Sequence, residues 1–203
     1  MSPAAITTSA PPPTNGKAAA VKSSAESIVT PSSGRLNGPS DAVPAWVKPD
    51  LNRLLRVEHL EGDFAARSVS LVDLPAGATF ARISNPTPAK CAFTSVQASR
   101  DLHVDLNCDL VYTNHSCQPT LVFDMQRWEV RVNPDLKEGL KAGDELTFFY
   151  PSTEYDMSQP FDCRCKEKEC RGTISGAKDM PPKVLRQYWL NPHIEELLQE
   201  RIE

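Results

Sequence analysis

The closely spaced cysteines near the C-terminus constrain this chain more than any other feature. Three of its six cysteines, Cys163, Cys165 and Cys170, lie within eight residues. Thiolates at this spacing on a loop are typical of a tetrahedral zinc site, in which each sulfur lies about 2.3 Å from the ion. A closed site needs four ligands. The spacing therefore predicts structural zinc and one further ligand from another part of the chain.

Several residues could supply the fourth ligand. Cys117, within the Asn-His-Ser-Cys-Gln-Pro segment at 114–119, is the best candidate, and His115, Cys108 and Asp162 are weaker ones. Two other interpretations stay open, namely ordinary buried thiols without a metal and disulfides in a secreted protein. The basic residues within the cluster favour the metal, because they would offset the negative charge of zinc bound by four thiolates.

The first 44 residues have the composition of a disordered leader. They hold seven prolines, four charged residues before Asp41 and no aromatic residue. Such a segment cannot bury enough apolar surface to offset the entropy of ordering. It also lacks the continuous apolar stretch of a secretory signal. We therefore expect an intracellular protein of the cytoplasm or nucleus, not a secreted one, in which reduced thiols favour metal over disulfides.

Charge and hydropathy argue against two classes of partner. The formal net charge is −4, from 22 basic and 26 acidic residues, and this balance lacks the basic surplus that phosphate neutralisation requires. No apolar run approaches the roughly 18 residues that a membrane span needs. We expect no direct nucleic-acid partner and no membrane partner, and the sequence indicates no oligomeric state.

The middle of the chain has the pattern of a β-rich body. Short runs of β-branched and aromatic residues alternate with turn signals such as Pro75-Ala76-Gly77. A lead-in at 46–58 fits a short amphipathic helix or a turn. The runs predict strands at 64–72, 79–83, 92–96, 110–113, 121–123, 129–132 and 145–150.

The C-terminal residues change to a helical period. Val184, Leu185 and Tyr188 share one helical face, and Ile194 and Leu198 share the next, on either side of an Asn-Pro interruption. This pattern predicts two helices that pack on the body. The predicted fold class is thus mainly β with short helices.

Three segments, in this order along the chain, resemble the SET-domain protein methyltransferases. They are the Asn-His-Ser-Cys segment at 114–117, the run 143–150 that ends at Tyr150, and the C-x-C-x4-C-x-Gly run at 163–172. The likeness covers about residues 60–176. It implies a SET-like fold of small β-sheets in which the first two segments cross in a pseudoknot. The implied domains are the leader at 1–44, a SET-like domain at 45–160, a post-SET zinc loop at 161–176 and a helical tail at 177–203.

The resemblance also implies a function and roles for individual residues. The family transfers a methyl group from S-adenosylmethionine to a lysine, so we expect methyl transfer to a lysine or other amine of a protein substrate. Tyr150 matches the tyrosine that orients the reacting groups, and Asn114 and His115 match residues that hold the cofactor. Tyr155 and Phe161 lie where the family places aromatic residues against the cofactor or channel, and plain packing is an equal alternative. The implied zinc ligands are Cys117, Cys163, Cys165 and Cys170.

Two departures from the family pattern keep a second hypothesis open. Ala65-Ala66-Arg67 stands where the family has a glycine-rich strand that approaches the cofactor, and a side chain there could crowd the site. Only 36 residues separate Gly77 from Asn114, which leaves little room for the inserted subdomain that shapes the substrate groove. The alternative is therefore a non-catalytic SET-like module, stabilised by zinc, that serves as an interaction partner.

Overall fold

The computed structural model describes residues 50–62 and 65–201. The predicted leader at 1–44 lies outside the described residues, as do residues 46–49 of the predicted lead-in helix. The remainder of that lead-in is a 3-10 turn at Leu51–Arg53 followed by a strand at Leu55–His59. Of the two alternatives for this segment, the turn is present at Leu51–Arg53, whereas an amphipathic helix is absent from the described part, because Leu55–His59 pairs along its whole length with Ala66–Ser70.

Short strands dominate the described part of the chain, and they form several small sheets. The strands are β1 Leu55–His59, β2 Ala66–Ser70, β3 Thr79–Arg82, β4 Thr87–Ala89, β5 Val96–Ser99, β6 Leu102–Asp105, β7 Asn114–His115, β8 Leu121–Asp124, β9 Glu129–Val132, β10 Thr147–Phe148, β11 Phe161–Asp162 and β12 Thr173–Ile174.

The sheets have two or three strands each. The three-stranded sheets have the orders β3-β9-β8 and β4-β6-β5, and both are antiparallel. β1 pairs with β2 and β11 with β12, also antiparallel, whereas β7 pairs with β10 in parallel. The fold class predicted from the sequence, mainly β with small sheets and short helices, is confirmed and is consistent with a SET-like fold.

In the part of the chain that the structure describes, helical structure is limited to short elements. The two α-helices found there, α1 Pro182–Leu185 and α2 Pro192–Glu200, lie where the C-terminal period predicted them. Proline occupies the first turn of each, where its missing N–H costs nothing. Short 3-10 helices lie at Leu51–Arg53, Asp109–Tyr112, Tyr150–Ser152 and Ala177–Asp179.

Several strand predictions need correction. The run 110–113 is a 3-10 helix at Asp109–Tyr112 instead of a strand, and only Val96 of the run 92–96 is in a strand. The run 145–150 is a strand only at Thr147–Phe148, because Tyr150 begins a 3-10 helix with Pro151 in its first turn. β4 and β6 were not predicted; Pro88 is tolerated in β4 because β4 is an edge strand.

Two hydrophobic clusters meet at the end of β10. Phe148 belongs to the main core and stacks on Phe123, with ring centroids 4.2 Å apart. Phe149 belongs to a second cluster with residues of α1 and α2, and its ring stacks on Tyr188 at 3.7 Å. Successive side chains in an extended segment point to opposite faces, which explains this division. The C-terminal helices therefore pack directly beside Tyr150.

Candidate active site

The parallel pairing of β7 with β10 brings two of the predicted motifs together. Asn114 is opposite Thr147, and His115 is opposite Phe148. The backbone N–H of Ser116 extends the pairing by donating to the carbonyl oxygen of Phe148 at 3.1 Å. Tyr150, two residues beyond β10, is thereby held next to the Asn-His-Ser-Cys segment.

His115 links the two motifs through its ring. Its Nδ1 accepts a hydrogen bond from the backbone N–H of Tyr150 at 3.2 Å, and its Nε2 lies 3.5 Å from the Sγ of Cys117. The side chain is buried, and burial lowers the pKa of His115 to about 4. An imidazole that accepts a hydrogen bond at Nδ1 is neutral, in agreement with the lowered pKa of His115.

Tyr150 is enclosed by aromatic rings. Its ring centroid lies 5.4 Å from that of His115, 4.7 Å from that of Phe148 and 5.9 Å from that of Phe161. Its hydroxyl donates to the carbonyl oxygen of Thr113 at 3.2 Å. Burial raises the pKa of Tyr150 well above its usual value, so the phenol stays protonated and remains a hydrogen-bond donor.

A large open cleft of about 1890 Å³ lies beside these residues. Asn114, His115, Tyr150 and Phe161 all line it, so four of the five catalytic and cofactor residues predicted from the sequence face one cavity. The fifth, Tyr155, is not among the lining residues. It packs instead against the second hydrophobic cluster, and its backbone N–H donates to the side-chain oxygen of Gln97 at 2.9 Å.

The segment that departs from the family's glycine pattern also lines the cleft. Ala65, Ala66 and Arg67 are among its lining residues. The amide nitrogen of Asn114 donates to the carbonyl oxygen of Ala66 at 2.8 Å, which holds the start of β2 against β7. The guanidinium of Arg67 lies 2.7 Å from a carboxylate oxygen of Glu58, its cross-strand partner on β1. The Arg67 side chain is therefore held by an ion pair at the edge of the cleft.

The predicted zinc ligands come together in the folded chain. The Sγ atoms of the four predicted cysteines all lie within 4.8 Å of one another. Cys117 and Cys163 are separated by 46 residues in sequence, yet their sulfurs are 3.8 Å apart. The weaker candidates Cys108 and Asp162 are not in this cluster, and among the described residues no other group of His, Cys, Asp or Glu has metal-binding geometry. The four sulfurs are compatible with one structural zinc ion.

The cysteine cluster adjoins the cleft and the C-terminal helices. Cys117 and Cys165 line the cleft together with the catalytic candidates. The carbonyl oxygen of Cys117 accepts a hydrogen bond from the Tyr188 hydroxyl at 2.9 Å, and its Sγ accepts one from the backbone N–H of Arg171 at 3.3 Å. The Arg171 side chain also donates to the Tyr188 hydroxyl at 3.1 Å. These contacts connect the cysteine loop at 163–172, the Asn-His-Ser-Cys segment and the C-terminal residues around Tyr188.

One residue that the sequence did not single out also lies at the site. Glu154 follows the 3-10 helix that begins at Tyr150, and its side chain is buried. It lines a second, smaller cavity of about 90 Å³ together with Tyr150 and Phe161. Burial raises the pKa of Glu154 to about 7. Its local sequence, Pro-Ser-Thr-Glu, has the polar composition of a surface turn and gave no signal of this burial.

Within residues 50–62 and 65–201, each helix is too short or too polar to serve as a membrane span.

Comparison with known proteins identifies the relatives of this chain. No model of a protein family matches it. It is 50% identical over 160 residues to the protein named methyltransferase flvH of Aspergillus flavus, a match that covers 78% of this chain and 89% of that protein.

Two more distant relatives are named histone-lysine N-methyltransferases. Ash1 of Drosophila melanogaster is 35% identical over 75 residues, which are 35% of this chain and 3% of ash1. ASHH3 of Arabidopsis thaliana is 34% identical over 92 residues, which are 43% of this chain and 24% of ASHH3. The relatives share the name methyltransferase, and the flvH match spans nearly all of that protein. The chain belongs to the methyltransferase family that includes flvH of Aspergillus flavus.

Proposed function

We propose that this protein is an S-adenosylmethionine-dependent methyltransferase of the SET type that methylates a lysine or other amine of a protein substrate. The observation that carries the proposal is the pairing of β7 with β10, which sets Asn114 and His115 beside Tyr150 at one wall of the large cleft. Ash1 and ASHH3, which match parts of this chain, are named histone-lysine N-methyltransferases. Their names support a protein lysine as the acceptor.

The residues of the cleft suit the binding of such a cofactor. S-adenosylmethionine supplies an activated methyl group, so the protein has chiefly to orient the reactants and exclude water. In this proposal the neutral imidazole of His115, the backbone of β7 and the ring of Phe161 form the walls of the cofactor site. The side chain of Asn114 bonds to the carbonyl oxygen of Ala66, so Asn114 would hold the cofactor through its backbone groups.

Tyr150 has the features required of the orienting residue. Its phenol is protonated and lies within an aromatic cage, where a donor keeps its full strength because water is excluded. The hydroxyl now donates to the Thr113 carbonyl. In the reaction the hydroxyl oxygen and that carbonyl oxygen would each accept an N–H of the acceptor amine, which leaves the nitrogen lone pair free to attack the methyl group in line. An amine must be neutral to react, and a dry channel favours the neutral form.

The four-cysteine cluster supports a structural zinc ion. Soft thiolate donors, four in number and mutually within 4.8 Å, match the preference of zinc for tetrahedral sulfur ligation. The cluster joins Cys117, next to the catalytic candidates, to a loop 46 residues away. In this proposal the metal fixes the post-SET loop, and with it Phe161, against the cleft. Cysteines that remain reduced fit an intracellular location, in the cytoplasm or nucleus.

The alternative function, a non-catalytic interaction module, is favoured by one observation. Ala65, Ala66 and Arg67 line the cleft where the family's pattern calls for glycine. In the enzyme hypothesis, the ion pair between Arg67 and Glu58 at 2.7 Å keeps the guanidinium at the cleft edge, so that the cofactor can enter. The two hypotheses therefore differ in whether the cleft accepts the cofactor.

An NMR experiment tests the location of the cofactor site. We expect S-adenosylhomocysteine, the demethylated product, to shift the backbone amide signals of His115, Tyr150 and Phe161. Signals of Leu71, which lies outside the cleft, serve as the reference. Shifts confined to residues that do not line the cleft would contradict the proposed site, and the absence of any shift at millimolar ligand would favour the interaction module.

A further inference from the structure

The smaller cavity adjoins the proposed reaction centre. It has a volume of about 90 Å³ and shares Tyr150 and Phe161 with the large cleft as lining residues. Most of the other lining side chains are apolar, and they include Leu106, Leu110 and Phe148. A group that enters this cavity therefore approaches the Tyr150 ring in largely dry surroundings. This arrangement suits the acceptor group of a substrate, whereas the large cleft suits the cofactor.

Glu154 contributes a carboxyl group to the wall of this largely apolar cavity. Among the described residues that line it, Glu154 alone has a side-chain carboxyl. Only 8% of this residue is exposed. Its Oε1 accepts hydrogen bonds from the backbone N–H of Gln97 at 2.8 Å and from the Thr153 hydroxyl at 3.3 Å. One carboxylate oxygen is thus satisfied by the protein, which fixes the orientation of the group.

The other oxygen of Glu154 has no strong cationic partner in the described part of the chain. Its ion-pair neighbour there is His103, whose Nδ1 lies 3.8 Å from Oε2. Burial lowers the pKa of His103, so the imidazole is neutral at physiological pH and does not balance the carboxylate. Other ionisable groups described near Glu154 include Tyr150 and Cys91, which are neutral, and His193, which lies near His103 and also has a lowered pKa.

A hydroxyl group in the cavity wall lacks a hydrogen-bond partner within the described residues. Thr113 lines the cavity, and its buried Oγ1 has no hydrogen-bond partner among the residues that the structure describes. Buried hydroxyls normally find partners, since an unsatisfied one costs about 1–3 kcal/mol. An N–H donor entering the cavity could satisfy both this oxygen and Glu154. A neutral hydrocarbon could satisfy neither.

We propose that Glu154 is the specificity-determining anion of the acceptor pocket and selects a substrate that carries an alkylammonium group. The inference deepens the proposed function, on which it rests, because it identifies the acceptor as a cation before deprotonation. A carboxylate without a charge partner in an apolar wall attracts an ammonium ion strongly, whereas an alcohol of equal size gains only a neutral hydrogen bond.

Two small probes of equal size test this selection without a known substrate. Butylammonium and butan-1-ol have the same number of heavy atoms and differ in charge. We expect the wild-type protein at pH 8 to bind butylammonium at least about tenfold more tightly than butan-1-ol, measured by NMR shifts of cavity amides. In Glu154→Gln this preference should disappear. Glutamine keeps an oxygen that can accept from Gln97 and Thr153, so the variant should fold.

A matched variant and a pH series complete the design. Asp156→Asn removes a nearby carboxyl that does not line the cavity and pairs instead with Lys178, and it should keep the preference. In wild type the preference should fall as the pH drops from 8 to 5, because Glu154 becomes protonated. Equal binding of the two probes by wild type, binding of neither, or an unchanged preference in Glu154→Gln would each overturn the inference.

The test also separates this inference from the proposed function. S-adenosylhomocysteine binding is measured on the same samples and concerns the large cleft. Loss of the ammonium preference with normal cofactor binding would refute the role of Glu154 alone. An ammonium preference without cofactor binding would leave the anionic pocket in place and refute the methyltransferase activity.

Discussion

The backbone N–H of Tyr150 donates to Nδ1 of His115 across 3.2 Å. The two residues are 35 positions apart, and each belongs to a different segment that resembles the SET family. This one hydrogen bond fixes the tautomer of the histidine and the start of the 3-10 helix that bears Tyr150. The position of the tyrosine thus depends on both segments, and damage to either one should disturb the site.

Tyr150→Phe should slow methyl transfer without loss of structure. The substitution removes a hydroxyl that donates to the Thr113 carbonyl at 3.2 Å, while the ring contacts with His115 and Phe161 remain. We expect the turnover rate to fall by about a hundredfold, the usual cost of losing one oriented donor at a reaction centre. Single-turnover assays with labelled S-adenosylmethionine measure this rate. Full turnover in the variant would exclude the proposed role of the hydroxyl.

The cysteine cluster predicts about one zinc ion per chain. Cys165→Ser should lower the zinc content measured by elemental analysis and lower the melting temperature, because metal affinity is part of the folding free energy. Cys91→Ser provides the matched control, since Cys91 is an exposed thiol outside the cluster. A wild-type protein that is fully folded without metal after dialysis against a chelator would disprove the structural role.

Asn191 should be one of the most sensitive positions of the fold. Its side chain is fully buried, accepts from the backbone N–H of Met125 and donates to the carbonyl oxygens of Phe123 and Ser152. Asn191→Ala removes these three buried hydrogen bonds, although the Ser152 carbonyl keeps the backbone N–H of residue 191, so we expect a loss of about 3 kcal/mol in unfolding free energy. Urea denaturation gives this value. Asn85→Ala, at an exposed asparagine, should change stability by less than about 0.5 kcal/mol.

Glu154 should make stability depend on pH in a defined direction. Burial raises the pKa of Glu154 from 4.5 to about 7, so the folded state binds more protons than the unfolded state between these values. Its contribution to stability is therefore present at low pH and is lost as the pH rises through about 7. Glu154→Gln removes this dependence. Relative to wild type, the variant should gain about 1–3 kcal/mol between pH 4 and pH 8, measured by urea denaturation. An unchanged difference across this range would contradict the raised pKa.

The sequence predicted those parts of the site whose residues form local sequence motifs. Cys163, Cys165 and Cys170 stand close together along the chain, so their spacing indicated a metal site without knowledge of the fold. Cys117 was the best of several candidates for the fourth ligand, and the family resemblance selected it, because spacing alone does not show that a residue 46 positions away reaches the cluster. The position of Asn114 and His115 beside Tyr150 came from the same resemblance.

Other features depend on contacts that no local pattern indicates. Glu154 is buried because the backbone of Gln97, 57 residues earlier, donates to its carboxylate. Asn191 resembles a simple helix boundary before Pro192, yet its side chain binds the main chain 66 and 68 positions away. The family resemblance placed Tyr155 against the cofactor or channel, with plain packing as an equal alternative, and in the structure Tyr155 packs on the second cluster. Phe149 makes a similar long-range contact, since its ring stacks on Tyr188 in the tail.

Calorimetric titration with S-adenosylmethionine tests the central claim most directly. We expect one molecule to bind per chain in the large cleft. Phe161→Ala should weaken binding by about tenfold through loss of an aromatic wall, and Leu71→Ala, at an exposed residue outside the cleft, should leave it unchanged. One-to-one binding with this pattern is the result that the account predicts. No heat of binding at millimolar cofactor by the folded, zinc-loaded protein would contradict it.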